Sequence, residues 1–136
     1  MSLVIDASLT LAWHFEDEQN DAIRGLLRRV SEEGAVVPPI WRFEVANALQ
    51  MAVRRDRITA AFRDEALANL ADLDIGIDTD SLDQAWKATL RLSAQHALTV
   101  YDASYLELAE RRRLPLATLD ESLARAARKA AVEVLP

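Results

Sequence analysis

Asp6, Glu44, Asp102 and Asp120 are the residues of this chain whose types and positions could do chemistry together. Each is expected at or just past the end of a strand or early in a helix. In an open α/β sheet those positions converge on one crevice, at the point where the strand order reverses. Four carboxylates gathered there repel one another and raise at least one pKa unless a cation neutralises them. The chain has two histidines and no cysteine, so the donors would be oxygens and the ion a hard one, Mg²⁺ or Mn²⁺. Such an ion with open water positions lowers the pKa of a bound water and stabilises charge on a leaving oxygen, the chemistry of phosphodiester hydrolysis. Ser8, Asn47 and Thr118 are candidates for groups that orient the carboxylates or the waters.

Each acid also has a plainer reading. Asp6 and Asp120 follow strands and would serve as helix N-caps. Asp102 lies three residues after Thr99, the spacing of a capping box with an acid in place of Glu or Gln. Ser8 could itself cap the first helix, and Thr118 could be an ordinary strand residue. Glu44 and Asn47 are harder to explain this way. They share one helical face at i and i+3 within an otherwise apolar stretch, where Asn is a poor helix former and costly to bury unpaired.

The elements that must position these groups are legible as alternating apolar runs and helical stripes. Strands are expected at Leu3 to Ile5, Ala35 to Val37, Ile75 to Ile77, Leu116 to Thr118 and Val132 to Leu135. Between them, helical spacing covers Leu9 to Trp13, Ile23 to Val30, Ile40 to Arg55, Phe62 to Leu73 after a Thr59 cap, Leu82 to Leu92, Thr99 to Arg112 and Leu123 to Lys129. Gly34 is a helix stop, and Pro38-Pro39 opens the next helix. That helix is apolar on most of its circumference, which predicts a central position. Arg111-Arg112-Arg113 reads as a solvated helix end beside a favourable dipole. Strands separated by helices imply right-handed crossovers and a parallel sheet.

With 136 residues and 51% hydrophobic content, one domain spanning 1–136 can build its core without disulfide or metal staples. The lack of cysteine excludes a disulfide framework and a thiol nucleophile and suits a reducing compartment. Met1 to Asp6 has neither a basic stretch nor an apolar run of signal length, and no segment has the apolar length of a membrane span. A cytoplasmic protein with no membrane association is expected. The net charge of −6 argues against a general nucleic-acid binder, which needs a basic surface, although acids gathered around a cation soften that objection. Arg42, Arg54, Arg55 and Arg91 are candidate phosphate contacts, each with an ordinary surface role as the alternative.

Four segments then carry a family resemblance: Val4-Ile5-Asp6-Ala7-Ser8, Pro39 through Glu44 to Asn47 and Leu49, Tyr101-Asp102-Ala103-Ser104-Tyr105-Leu106, and Leu116-Ala117-Thr118-Leu119-Asp120. In this order and spacing they resemble the PIN-domain ribonucleases of the VapC toxin type, found in bacterial and archaeal toxin–antitoxin pairs. The resemblance implies a three-layer α/β/α sandwich with a short, mostly parallel sheet of four to five strands. It implies Asp6, Glu44, Asp102 and Asp120 as metal-binding and catalytic acids, with Asn47 as a polar neighbour of the glutamate. It further implies a Mg²⁺- or Mn²⁺-dependent endoribonuclease acting on RNA, a homodimer, and inhibition by a VapB-type antitoxin. Arg113 departs from the family pattern, standing where many relatives place a glycine to end the helix.

Rival readings fit less of the chain. A Mg²⁺-binding receiver-like signalling domain wants adjacent acids after the first strand and a late lysine, whereas here Asp6 stands alone and the late strand leads to Thr118 and Asp120. A dehalogenase-like phosphatase needs a second aspartate where the chain has Ser8. A catalytically inactive, partner-binding PIN domain is disfavoured because all four acids are present.

Overall fold

The computed structural model describes residues 2–136. Five short strands, β1 (Leu3–Ile5), β2 (Ala35–Val37), β3 (Ile75–Ile77), β4 (Leu116–Ala117) and β5 (Val134–Leu135), form one sheet in the order β3-β2-β1-β4-β5. All four pairings are parallel. β1 and β2 are buried at every residue, which is why they read as unbroken apolar runs: a parallel sheet covered on both faces has no solvent side to alternate with. The expected strands at β4 and β5 end one and begin two residues off, within the usual uncertainty of element ends.

The helices are α1 (Ala7–Ala12), α2 (Asp21–Glu33), α3 (Ile40–Arg54), α4 (Ala60–Ala71), α5 (Asp80–Gln84), α6 (Ala88–His96), α7 (Val100–Arg112) and α8 (Glu121–Lys129), with a 3₁₀ turn at Glu16–Glu18. From β1 the chain steps to β2 and β3 on one side, then returns past β1 to β4 and β5 on the other. Right-handed crossovers taken in opposite directions put their helices on opposite faces. The packing agrees: α1 touches α3 and α3 touches α4, whereas α5, α6 and α8 all touch α7, which lies on β1 and β4. The result is the three-layer α/β/α arrangement, with its strand order reversing between β1 and β4.

Local signals explain most boundaries. Asn20, Thr59 and Thr99 cap their helices through the backbone N–H three residues on, at 2.9–3.0 Å. Gly34 ends α2 at φ +78°, and a Cβ there would sit 3.0 Å from the Asp74 carboxylate, so no other residue fits this stop without displacing its neighbour. Arg113 ends α7 in the left-handed region at φ +55° despite its side chain.

Three expectations differ from the structure. Only Trp41, Val45, Leu49 and Ala52 of α3 are buried, while Phe43 is 73% exposed. The helix therefore covers the sheet with one face and shows an apolar side to solvent. The expected helix from Leu82 to Leu92 is two helices joined by a turn. α5 is anchored by Ser81, whose hydroxyl donates to Asp78 Oδ2 at 2.7 Å, and α6 by the buried Thr89 and Leu92. Leu82 and Trp86 consequently stay outside, the latter 91% exposed. The arginine run is not uniformly solvated: Arg111 is half-buried in an ion-pair network with Asp78 and Glu107 at 2.6 and 2.8 Å.

Candidate active site

Asp6 emerges from β1 beside β4, at the switch point, where its backbone N–H donates to the Ala117 carbonyl at 3.2 Å. Its carboxylate is buried. Oδ1 accepts from the Leu9 N–H at 3.0 Å and from Ser8 Oγ at 2.7 Å, while Oδ2 accepts from Ser8 at 2.9 Å and from the Thr118 hydroxyl. Asp6, not Ser8, is therefore the cap of α1. Ser8 sits inside the first turn and turns its hydroxyl back onto the carboxylate. Thr118, expected as the last residue of the strand, lies one residue past β4, and its hydroxyl also accepts the Asp120 N–H at 3.0 Å. Ser8 Oγ in turn accepts the Leu119 N–H at 3.0 Å. Two hydroxyls thus lock the loop after β4 onto the acid after β1 and fix both oxygens of Asp6.

Glu44 reaches the same crevice from α3 on one face of the sheet, and Asp102 and Tyr105 from α7 on the other. The Tyr105 hydroxyl donates to Glu44 Oε1 at 2.5 Å, bridging the two helical layers. Tyr105 is 1% exposed and Glu44 half-buried. Asp120 caps α8 through Oδ1 to the Leu123 N–H at 2.9 Å, so its capping reading is correct and uses one oxygen only.

The electrostatics tie these groups together. Burial pushes the Asp6 carboxyl above its usual range, and the charge of Asp120 adds to the shift. Burial likewise raises Glu44, against the lowering effect of the Tyr105 hydrogen bond, with Asp102 and Asp6 adding repulsion. Asp102 is raised by burial and then by Asp120. Tyr105 is held far above the ordinary phenol range by burial and by Glu44, and so stays a proton donor. No basic side chain is among the groups acting on Asp6, Glu44 or Asp102.

The four acids therefore lie within electrostatic reach of one another. Even so, among the described residues no three of Asp, Glu, His or Cys are drawn into a closed ligand set. Like-charge repulsion keeps such groups apart when nothing positive stands between them. The donor set still fits a hard divalent ion: it is all oxygen, its negative charge is uncompensated, and Asp6 is oriented in advance. Asn47 is exposed, one turn beyond Glu44, and its side chain makes no hydrogen bond among the described residues. The cost of burying it therefore does not arise.

Tyr105 is the site residue that the sequence reading left without a role. It lies at i+3 from Asp102, on the same helical face, and that spacing was the available signal. Glu107 and Arg111 have the i, i+4 spacing of a helical ion pair, but the Asp78–Arg111 contact left no local signal, because the two are 33 residues apart.

A family model described as PIN domain matches residues 3–129. Ribonuclease VapC3 of Pyrobaculum aerophilum is 30% identical over 124 residues, 91% of this chain and 93% of that protein. The crystal structure of PAE2754 from Pyrobaculum aerophilum superposes with a TM-score of 0.71 at 23% identity, over 98% of this chain and 83% of that one. That of FitAcB from Neisseria gonorrhoeae does so at 0.68 and 12% identity, over 98% and 96%. At those identities, the two superpositions speak for the fold.

Proposed function

Because this chain belongs to the PIN-domain family, we propose that it is a single-domain, cytoplasmic, metal-dependent endoribonuclease of the VapC toxin type, held in check by a VapB-type antitoxin. The observation that carries the reading furthest is the crevice between β1 and β4, where Asp6, Glu44, Asp102 and Asp120 act on one another without any compensating cation.

Asp6, Asp102 and Asp120, with Glu44 beside them, are the residues that would hold Mg²⁺ or Mn²⁺. Bound there, the ion would supply an activated water and stabilise charge on the leaving oxygen. Ser8 and Thr118 keep both Asp6 oxygens aimed, so little reorganisation is needed when substrate arrives. Tyr105 holds Glu44 through Oε1, which leaves Oε2 to accept a proton from the water that attacks phosphorus. As the P–O bond breaks, the departing oxygen takes up a proton from solvent.

The test is cleavage of a labelled RNA with Mg²⁺ or Mn²⁺, in excess chelator, and by Asp6→Asn. Asp6→Asn keeps the cap and the volume while removing a charged donor. Its loss should exceed the 10- to 100-fold typical of outer-shell changes, so at least about a hundredfold is expected. Full activity of that variant or in chelator overturns the mechanism. No cleavage by the wild type would favour a partner-binding role instead.

The homodimer of this reading would use the α5–α6 face. Leu82, Trp86 and Leu90 are exposed there, next to Asp80, Asp83, Lys87 and Arg91, which are exposed and form no ion pairs among the described residues. A two-fold interface pairs a patch with itself and so needs both charges in one patch. Trp86→Glu should convert the protein to monomer in light scattering, and an unchanged dimer would rule this face out.

A further inference from the structure

An acidic protein that binds RNA must concentrate its positive charge where the strand runs. Two grooves open onto the Asp6 centre. The first, about 570 Å³, runs between α1 and α3 from Ser8 and Leu119 past Leu11 and Met51 to Arg55 and Arg57. The second, about 420 Å³, runs along α8 from Thr118, Leu119 and Asp120 to Arg125 and Arg128. They share Leu119, and their inner ends are the two hydroxyls that hold Asp6, Ser8 Oγ and Thr118 Oγ1, only 3.4 Å apart. The two grooves therefore form one track that passes the hydroxyls holding Asp6 and has Asp120 in its lining.

The track is positive at both ends and negative at the centre. Arg57 is already engaged by Asp17 at 3.1 Å and Glu18 at 3.8 Å and stacks over Phe15. Arg55, Arg125 and Arg128 are exposed and form no ion pair among the described residues. The acids Asp120 and Glu121 lie at the inner end of the α8 groove, and Glu18 lies in the α1–α3 groove. Free guanidinium groups on either side of an acidic centre match a polyanion that must cross it. Grooves of this size that meet beside half-buried Asp120 suit a single strand, which can bend in, better than a duplex. Leu119, 39% exposed at the junction, offers an apolar surface to a base beside the centre.

We propose that a single RNA strand crosses the site along this track, with Arg55 contacting phosphates on one side of the centre and Arg125 and Arg128 on the other. The assignment rests on the nuclease reading. It separates Arg55 from Arg42, Arg54 and Arg91, none of which lines either groove.

The experiment measures binding of a short unstructured RNA to Asp6→Asn protein by fluorescence anisotropy across a salt series, which does not depend on cleavage. In that background Arg55→Ala, and Arg125→Ala with Arg128→Ala, should each weaken binding. Each should also lower the slope of log affinity against log salt by about 0.7 per phosphate contact removed. Arg42→Ala and Arg54→Ala should leave the slope as it was. Unchanged slopes in the groove variants, or equal changes in the controls, overturn the track even if the wild type cleaves RNA. Lowered slopes with a wild type that does not cleave would keep the track and discard the nuclease. Unchanged RNA slopes with weakened binding of an acidic peptide would give these arginines to a protein partner and overturn the proposal.

Discussion

Two acidic clusters in this molecule meet opposite fates. Asp78 and Glu107, between the end of β3 and α7, are 7% and 4% exposed and share Arg111. Burial alone would raise Asp78, yet the Arg111 hydrogen bond and charge, with Ser81, bring it below the usual carboxylate range. Asp6, buried, and Glu44 and Asp102, half-buried, have no such partner and are all raised. The structural cluster carries its own cation and is complete. The other has no basic partner among the groups acting on it, and the proposed site rests on that difference.

Taking the cation from the braced cluster should produce the largest loss of stability. Arg111→Met leaves buried Glu107 without a cation and Asp78 with only the longer Arg112 contact at 3.8 Å, and urea denaturation should show a loss of about 3 kcal/mol. RNA cleavage by the folded fraction should be retained. A loss below 1 kcal/mol would mean that the network is a surface feature.

At the open cluster, Tyr105→Phe frees Glu44 without leaving a cavity. Cleavage should fall by about tenfold, in the range of lost outer-shell contacts, with about 1 kcal/mol of stability lost with the hydrogen bond. Unchanged kinetics would mean that Glu44 needs no anchor.

Acidity should move the two clusters in opposite directions, with a smaller effect. Asp78, lowered in the folded state, contributes stability above its ordinary value of 3.8 that disappears as pH falls through its folded pKa. Asp6, raised, contributes stability that is complete below 3.8 and is lost as pH rises through its folded pKa. His14, lowered by burial from 6.5, costs stability on acidification, so the comparison is wild type against Asp6→Asn in chelator, where His14 cancels. The variant should gain on the wild type as pH rises from about 4 to neutrality. A pH-independent difference would show that Asp6 is already compensated.

The sequence revealed the open cluster better than the braced one. Asp6, Asp102 and Asp120 announce themselves because strand ends and helix starts are local patterns, and β1 and β2 were readable to the residue because buried parallel strands are uniformly apolar, β3 through Ile75 and Ile77 on either side of Gly76. Glu44 stood out as a charge in an apolar helix, although the inference that α3 is central failed. Periodicity reports how many faces are apolar, not how many find a partner, and Phe43 finds none. The break between α5 and α6 was hidden because Leu82, Trp86 and Thr89 keep helical spacing across a turn. The partnership of Arg111 with Asp78 and that of Tyr105 with Glu44 depend on tertiary contacts that no window of sequence contains. Residues 3–129 match the PIN-domain family.

In the proposed site a divalent cation completes the open cluster. Thermal melting of chelator-stripped protein titrated with Mn²⁺ tests it most directly, because a ligand that binds only the folded state stabilises it by mass action. The wild type and Arg55→Ala should rise together in melting temperature with Mn²⁺, whereas Asp6→Asn should not respond. A wild type whose melting temperature ignores Mn²⁺ while RNA is still cleaved in chelator would contradict the account.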